Sequence, residues 1–150
     1  MNLPLQLVTN SEAATAAVGE QLAAAVSPGD VVLLFGALGA GKTAFVRGMA
    51  RGLGAAPEEV SSPTFTIVQE YKGRSATLFH VDLYRLTSAE VDDLGLDELV
   101  SGDGIVAIEW AEHWAGRPDD VVEVRLTDEG EDRRRLDIVG RLRTSAKDPA

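Results

Sequence analysis

The segment Val31-Val32-Leu33-Leu34-Phe35-Gly36-Ala37-Leu38-Gly39-Ala40-Gly41-Lys42-Thr43 decides the fold. From Gly36 it satisfies G-x-x-x-x-G-K-[ST], a bent backbone whose successive N–H groups can cradle a phosphate chain. Gly36, Leu38, Gly39, Ala40 and Gly41 would supply that cradle, with Gly39 and Gly41 able to adopt positive φ. Lys42 would reach the β- and γ-phosphate oxygens, and the Thr43 hydroxyl would coordinate Mg²⁺. The five residues before the loop are all apolar, as expected of a parallel strand buried on both faces. Beyond it, Phe45, Val46, Met49, Ala50 and Leu53 recur at helical spacing, with Gly54 placed to end the helix. A helix N-terminus would thus face the bound anion. The glycine spacing does not fit a dinucleotide fingerprint.

Working outward, Leu5 to Thr9 reads as a first strand. Thr9-Asn10-Ser11-Glu12 reads as a capping box, with Thr9 or Ser11 as N-cap. The helix that follows carries Val18, Leu22, Ala25 and Val26 on one face and stops at Ser27-Pro28-Gly29-Asp30. Residues 52 to 59 read as a loop. Thr64 to Tyr71 and Ala76 to Arg85 form a predicted β-hairpin about Lys72-Gly73-Arg74-Ser75. Thr87-Ser88-Ala89-Glu90 is a second capping box, opening a helical stretch with Val91, Leu94 and Leu96, and Asp97 to Val100 adds a turn. Gly104 to Glu109 is another apolar strand. Val121 to Leu126 and Arg135 to Val139 suggest a terminal antiparallel pair about Asp128-Glu129-Gly130. The expectation is one domain over residues 1–150, with a disordered tail from about residue 144.

The chain has 150 residues, enough for a core without covalent staples. It has no cysteine, so disulfides and thiolate-bound zinc are excluded. No basic segment precedes a long apolar run, and none of the apolar runs has membrane-spanning length. These features lead us to expect a soluble cytoplasmic protein without membrane contact. A formal charge of −10 opposes autonomous binding to nucleic acid. Acids dominate residues 90 to 132, whereas Arg133, Arg134, Arg135, Arg141, Arg143 and Lys147 follow. That pattern fits solvated faces and protected strand edges.

A nucleoside triphosphatase also needs a carboxylate ending a buried strand beside the phosphate loop. Leu78-Phe79-His80-Val81-Asp82 and Ile105-Val106-Ala107-Ile108-Glu109 both run apolar residues into an acid, and either could hold Mg²⁺ or orient water. Such carboxylates are costly in a sheet unless a cation compensates them. Pro63-Thr64 sits where a γ-phosphate-sensing loop would lie, so Thr64 joins the candidates. The two histidines, His80 and His113, exclude a multi-histidine metal site. His80 reads as a core side chain and Glu112-His113 as surface. Trp110 and Trp114 read as packing residues, although Trp110, next to Glu109, is placed to line the nucleotide site. Guanine-reading N-K-x-D is absent.

The motifs in order resemble one family, the ATPase subunit of bacterial tRNA threonylcarbamoyladenosine biosynthesis (TsaE/YjeE). The resemblance covers roughly residues 9 to 115. It rests on Thr15-x-x-x-Gly19, Leu38-Gly39-Ala40-Gly41-Lys42-Thr43, Arg47-Gly48, Ser62-Pro63-Thr64-Phe65-Thr66, His80-x-Asp82-Leu83-Tyr84-Arg85-Leu86 and Glu109-Trp110. It implies an α/β, P-loop NTPase-like three-layer fold with a mixed central sheet and a β-hairpin insertion. It also implies ATP as ligand and Mg²⁺ near Thr43, Asp82 and Glu109. The implied partners are TsaB- and TsaD-type subunits of the threonylcarbamoyl transfer complex, with tRNA contacted only indirectly. Ala37 departs from the pattern, since the family often has an acid there.

The leading expectation is therefore a Mg²⁺-dependent ATPase subunit, with Lys42, Asp82 and Glu109 carrying the chemistry. A stand-alone kinase of a small metabolite and a nucleotide-regulated binding switch are the alternatives. None of the arginines is evidently a finger on the γ-phosphate, unless Arg85 or Arg133 to Arg135 fold back to it.

Overall fold

A computed structural model describes residues 1–37, 39–55 and 68–142. In chain order these form β1 (Leu5–Thr9), α1 (Glu12–Ala25), β2 (Val31–Phe35), α2 (Lys42–Gly52), β3 (Val68–Lys72) and β4 (Thr77–Asp82). Then come α3 (Ser88–Asp92), α4 (Leu96–Val100), β5 (Ile105–Glu109), a 3₁₀ turn (Ala111–His113), β6 (Val122–Asp128) and β7 (Arg134–Gly140). Leu38, the Ser61 to Thr66 stretch containing Thr64, and the tail from residue 144 lie outside the described residues.

One seven-stranded sheet takes the order β1-β7-β6-β2-β5-β4-β3. Its centre, β6-β2-β5-β4, is parallel, and antiparallel strands complete both edges, so the sheet is mixed. Side chains alternate across a strand, and the two cores follow that alternation. Val32, Leu34, Ile105 and Ala107 face a core with Leu22, Phe45 and Met49 of α1 and α2. Val31, Leu33, Val106 and Ile108 face the other, with Val91 of α3, Leu96 of α4, and Trp114. Helix layer, sheet and helix layer make the expected three-layer α/β fold, and β3–β4 is the expected hairpin.

Several boundaries differ from the sequence reading, each for a local reason. Ser11 is the N-cap of α1, its Oγ accepting from the Ala14 N–H at 3.0 Å. Thr9 instead pairs its hydroxyl with that of Thr15 at 2.7 Å, inside the fold, so the box expected over Thr9 to Glu12 does not form. The second box does form: Thr87 accepts from the Glu90 N–H, and Glu90 from the Thr87 N–H. Its helical stretch is split into α3 and α4, because Gly95 takes φ 74° at the start of α4. Strand β4 stops at Asp82 rather than Arg85. The Leu83 N–H bonds to the Glu109 carbonyl at 3.2 Å, and the Leu86 N–H closes a turn onto the Leu83 carbonyl at 3.1 Å. The terminal pair is longer than expected, and residues 129–133 connect it. Its strand β6 also joins β2 in parallel, while β7 recruits β1.

Helices α1 and α2 touch backbone to backbone. A Cβ on Gly19 would lie 2.1 Å from the Phe45 carbonyl oxygen, and one on Gly48 would lie 1.8 Å from that of Ala16. These two glycines set how closely α1 seats behind the first turn of α2. Gly48→Ala must push two backbones apart, which outweighs the roughly 1 kcal/mol by which Ala is the better helix former. We expect a net loss of about 1–3 kcal/mol, read by urea denaturation; an unchanged midpoint would refute the close-contact account.

Candidate nucleotide site

The parallel strands β2, β4 and β5 end on the same side of the sheet, where ligands of open α/β sheets bind. The loop after β2, Asp82 at the end of β4 and Glu109 at the end of β5 meet there. Asp82 and Glu109 are register partners, as are Leu34 and Glu109. Glu109 shares the parity of Ile105 and Ala107, so it faces the α1/α2 layer. There its Oε2 accepts from the Thr43 hydroxyl at 3.3 Å.

The loop leaves backbone donors at a helix N-terminus without side-chain partners. Gly41 precedes α2 at φ 105°, a conformation that favours glycine, and no side chain caps the helix. The first N–H groups of α2 therefore point outward with the positive end of the helix dipole. Lys42 is buried at 4% exposure. Its ammonium donates to the carbonyls of Gly36 and Ala37 and sits 3.8 Å from the centre of the Trp110 ring. The Ala40 N–H bonds to the Ala37 carbonyl at 3.0 Å. Burial pushes the Lys42 pKa down, while the charges of Glu109, Glu112 and Asp82 act to raise it. A phosphate chain would give this ammonium the counter-charge that burial otherwise denies it.

Glu109 is 3% exposed, and its Oε2 also meets the Nε2 of His80 at 2.5 Å. Asp82 is half-buried and accepts from the Tyr84 N–H at 3.0 Å. Burial raises its pKa first, the Tyr84 N–H opposes the rise, and neighbouring Glu109 adds to it. Two carboxylates and a hydroxyl at the mouth of the loop suit Mg²⁺, which is held through few protein oxygens together with phosphates and waters. Among the described residues no group of three His, Cys, Asp or Glu side chains gathers as a cage.

The raised pKa of Asp82 has a consequence for stability. The native state favours the protonated form, so ionised Asp82 is destabilising at pH well above its folded pKa, and the cost disappears once the pH falls below the unfolded value. Asp82→Asn should therefore raise the melting temperature of the ligand-free protein at neutral pH, by a margin that shrinks on acidification. A lower melting temperature at neutral pH would contradict the desolvation account.

Trp110, at φ 59°, packs at a 43° tilt against Tyr84, with ring centres 4.9 Å apart, and covers Lys42. Trp114 is a core residue. Arg85 is exposed in the turn after β4. Arg134 reaches the loop from β7, donating to the Gly39 carbonyl at 3.4 Å, and is anchored on Asp128 at 3.0 Å. Arg133 and Arg135 instead pair with Glu129 at 3.7 and 3.9 Å. Lys42, Thr43, Asp82, Glu109 and Trp110 are thus brought together with Gly36, Gly39, Ala40 and Gly41. Leu38 and Thr64 lie outside the described residues. The contact that the sequence reading missed is His80 with Glu109. Alternation held its only signal, since His80 and Asp82 share a face of β4.

The model of the family described as "Threonylcarbamoyl adenosine biosynthesis protein TsaE" matches residues 9–136. The chain belongs to the TsaE family. This TsaE-family chain is 50% identical over 97 residues to the tRNA threonylcarbamoyladenosine biosynthesis protein TsaE of Bacillus subtilis, a match covering 65% of the chain and 60% of that relative. It is 45% identical over 124 residues to the TsaE protein of Treponema pallidum, covering 81% of the chain and 90% of the relative. The crystal structure of Bacillus subtilis YdiB superposes with a TM-score of 0.74 at 34% identity, over 97% of this chain and 92% of that one. The family, as its description states, serves threonylcarbamoyladenosine biosynthesis. Among the described residues of this TsaE-family chain no helix is long and apolar enough to cross a membrane.

Proposed function

We propose that residues 1–150 form one Mg²⁺-dependent ATPase domain that supports N6-threonylcarbamoyladenosine modification of tRNA in the cytoplasm. The observation carrying this reading is the Thr43–Glu109 contact. It joins the loop that would bind phosphates to a buried carboxylate at the end of a parallel strand. Thr43, Asp82 and Glu109 would hold Mg²⁺, which when bound neutralises charge on the β- and γ-phosphates. Lys42 and the α2 N-terminus would bind those phosphates. The two carboxylates would place the attacking water, and Trp110 would shield the site.

TsaB- and TsaD-type subunits are the partners this reading assigns. The charge of −10 disfavours direct capture of tRNA, so contact with RNA falls to another subunit. Arg134 is committed to backbone carbonyls and Asp128, and Arg85 is exposed in the turn after β4. An arginine supplied to the γ-phosphate is worth roughly 10³–10⁵ in rate, so the protein alone should turn over slowly. The test is steady-state ATP turnover of the protein alone, then with both partners, then with tRNA. We expect a slow basal rate that the partners raise. Fast turnover unaltered by any addition would refute partner gating. Acceleration by a small metabolite instead would favour a kinase, and partner affinity that responds to nucleotide without turnover would favour a switch.

A further inference from the structure

His80 is wholly buried, yet its ring nitrogen meets a carboxylate oxygen, a contact that a merely space-filling ring would not make. It lies on β4 opposite Ala107 of β5, one register pair from the Asp82–Glu109 pair. Its Nε2 therefore reaches Glu109 diagonally, at 2.5 Å from Oε2. The same oxygen receives the Thr43 hydroxyl at 3.3 Å. Among the described residues Nδ1 has no hydrogen-bond partner. An N–H at Nδ1 would be a buried donor without an acceptor, so burial favours the tautomer with its proton on Nε2 and a bare Nδ1. That proton is the one Glu109 needs as a donor. A buried carboxylate swings unless its hydrogen bonds fix it, and such supporting donors commonly matter 10–100-fold for the metal or activity they serve.

We propose that His80 is a positioning residue whose Nε2–H locks the Glu109 carboxylate against the Thr43 hydroxyl, presetting the pair toward a divalent cation on bound nucleotide. The inference rests on the ATPase reading above. Two substitutions separate it from a structural role. The amide nitrogen of Gln reaches the place of Nε2, whereas that of Asn reaches only the place of Nδ1. Both bring a polar amide into the same site.

The measurements are ADP and ATP-analogue affinities with and without Mg²⁺, alongside thermal melts and ¹⁵N imidazole spectra of the wild type. We expect His80→Asn to lose about 10–100-fold of the Mg²⁺-dependent gain in affinity with metal-free affinity kept, and His80→Gln to recover most of it. The wild-type spectrum should show a proton on Nε2. Equal Mg²⁺ dependence in both variants and the wild type, or a proton on Nδ1 in place of Nε2, would overturn the proposal. The spectrum decides even if the variants fold poorly. A wild-type protein that binds no nucleotide under either condition would instead overturn the ATPase reading on which the proposal stands.

Discussion

Glu109→Gln should lower Mg²⁺-dependent ATP hydrolysis by about 10²–10⁴-fold, the usual worth of a positioned acid–base group, while metal-free ADP binding changes little. Gln has the shape of Glu, so the packing at the end of β5 survives. Its single oxygen can still accept from His80 and Thr43, the two groups that meet Oε2. What disappears is the negative charge facing the loop and the second acceptor oxygen that would orient water or a metal-bound ligand. The phosphate contacts of Lys42 and the α2 N-terminus remain, which is why binding should outlast turnover. Glu109 is also the largest of the charges that raise the Lys42 pKa, so the variant should make that ammonium somewhat easier to deprotonate. Steady-state turnover at fixed Mg²⁺ and metal-free ADP titration check the expectation. Hydrolysis at the wild-type rate would remove Glu109 from the chemistry.

Lys42→Ala should weaken ATP binding roughly 10- to 150-fold, corresponding to the about 1.5–3 kcal/mol of a hydrogen bond to a charged group, and turnover should fall at least as far. The fold should tolerate the change. Burial lowers the Lys42 pKa, so its ammonium is held at a desolvation cost that alanine does not carry. The lost partners are the carbonyls of Gly36 and Ala37 and the face of Trp110, all at the margin of the site. Circular dichroism melts should therefore match the wild type, and nucleotide titration should not. Unchanged affinity and unchanged hydrolysis together would refute the phosphate-loop assignment.

The sequence by itself determined the strand–loop–helix unit at residues 31–52, the hairpin about residues 72–75, the second apolar strand ending in Glu109, and the family. These are signals whose physics is local: an unbroken apolar run, a glycine pattern fixed by backbone approach to phosphate, turn residues between alternating stretches. Periodicity also exposed Asp82 and Glu109 as two acids at the ends of buried strands, but it could not say how near they lie. That required strand order. Placing β4 beside β5 in parallel makes Asp82 and Glu109 neighbours, and placing β5 beside β2 brings Glu109 against the first turn of α2. The parallel union of β6 with β2 and the antiparallel union of β1 with β7 were hidden for the same reason, since pairing across more than 80 residues leaves no local trace.

His80 marks the division most sharply. In the sequence it is one polar residue in an apolar strand, a pattern that a satisfied core histidine and a carboxylate clamp share. Only the register of β4 against β5 separates them, because the diagonal step along two parallel strands carries its Nε2 to Glu109. Likewise Gly19 and Gly48 look like ordinary helix residues until α1 and α2 cross at backbone contact, where a single methyl group would meet a carbonyl oxygen. The chain writes its elements in short-range chemistry. The site is assembled by long-range pairing, whose energy depends on which faces meet and not on any one segment.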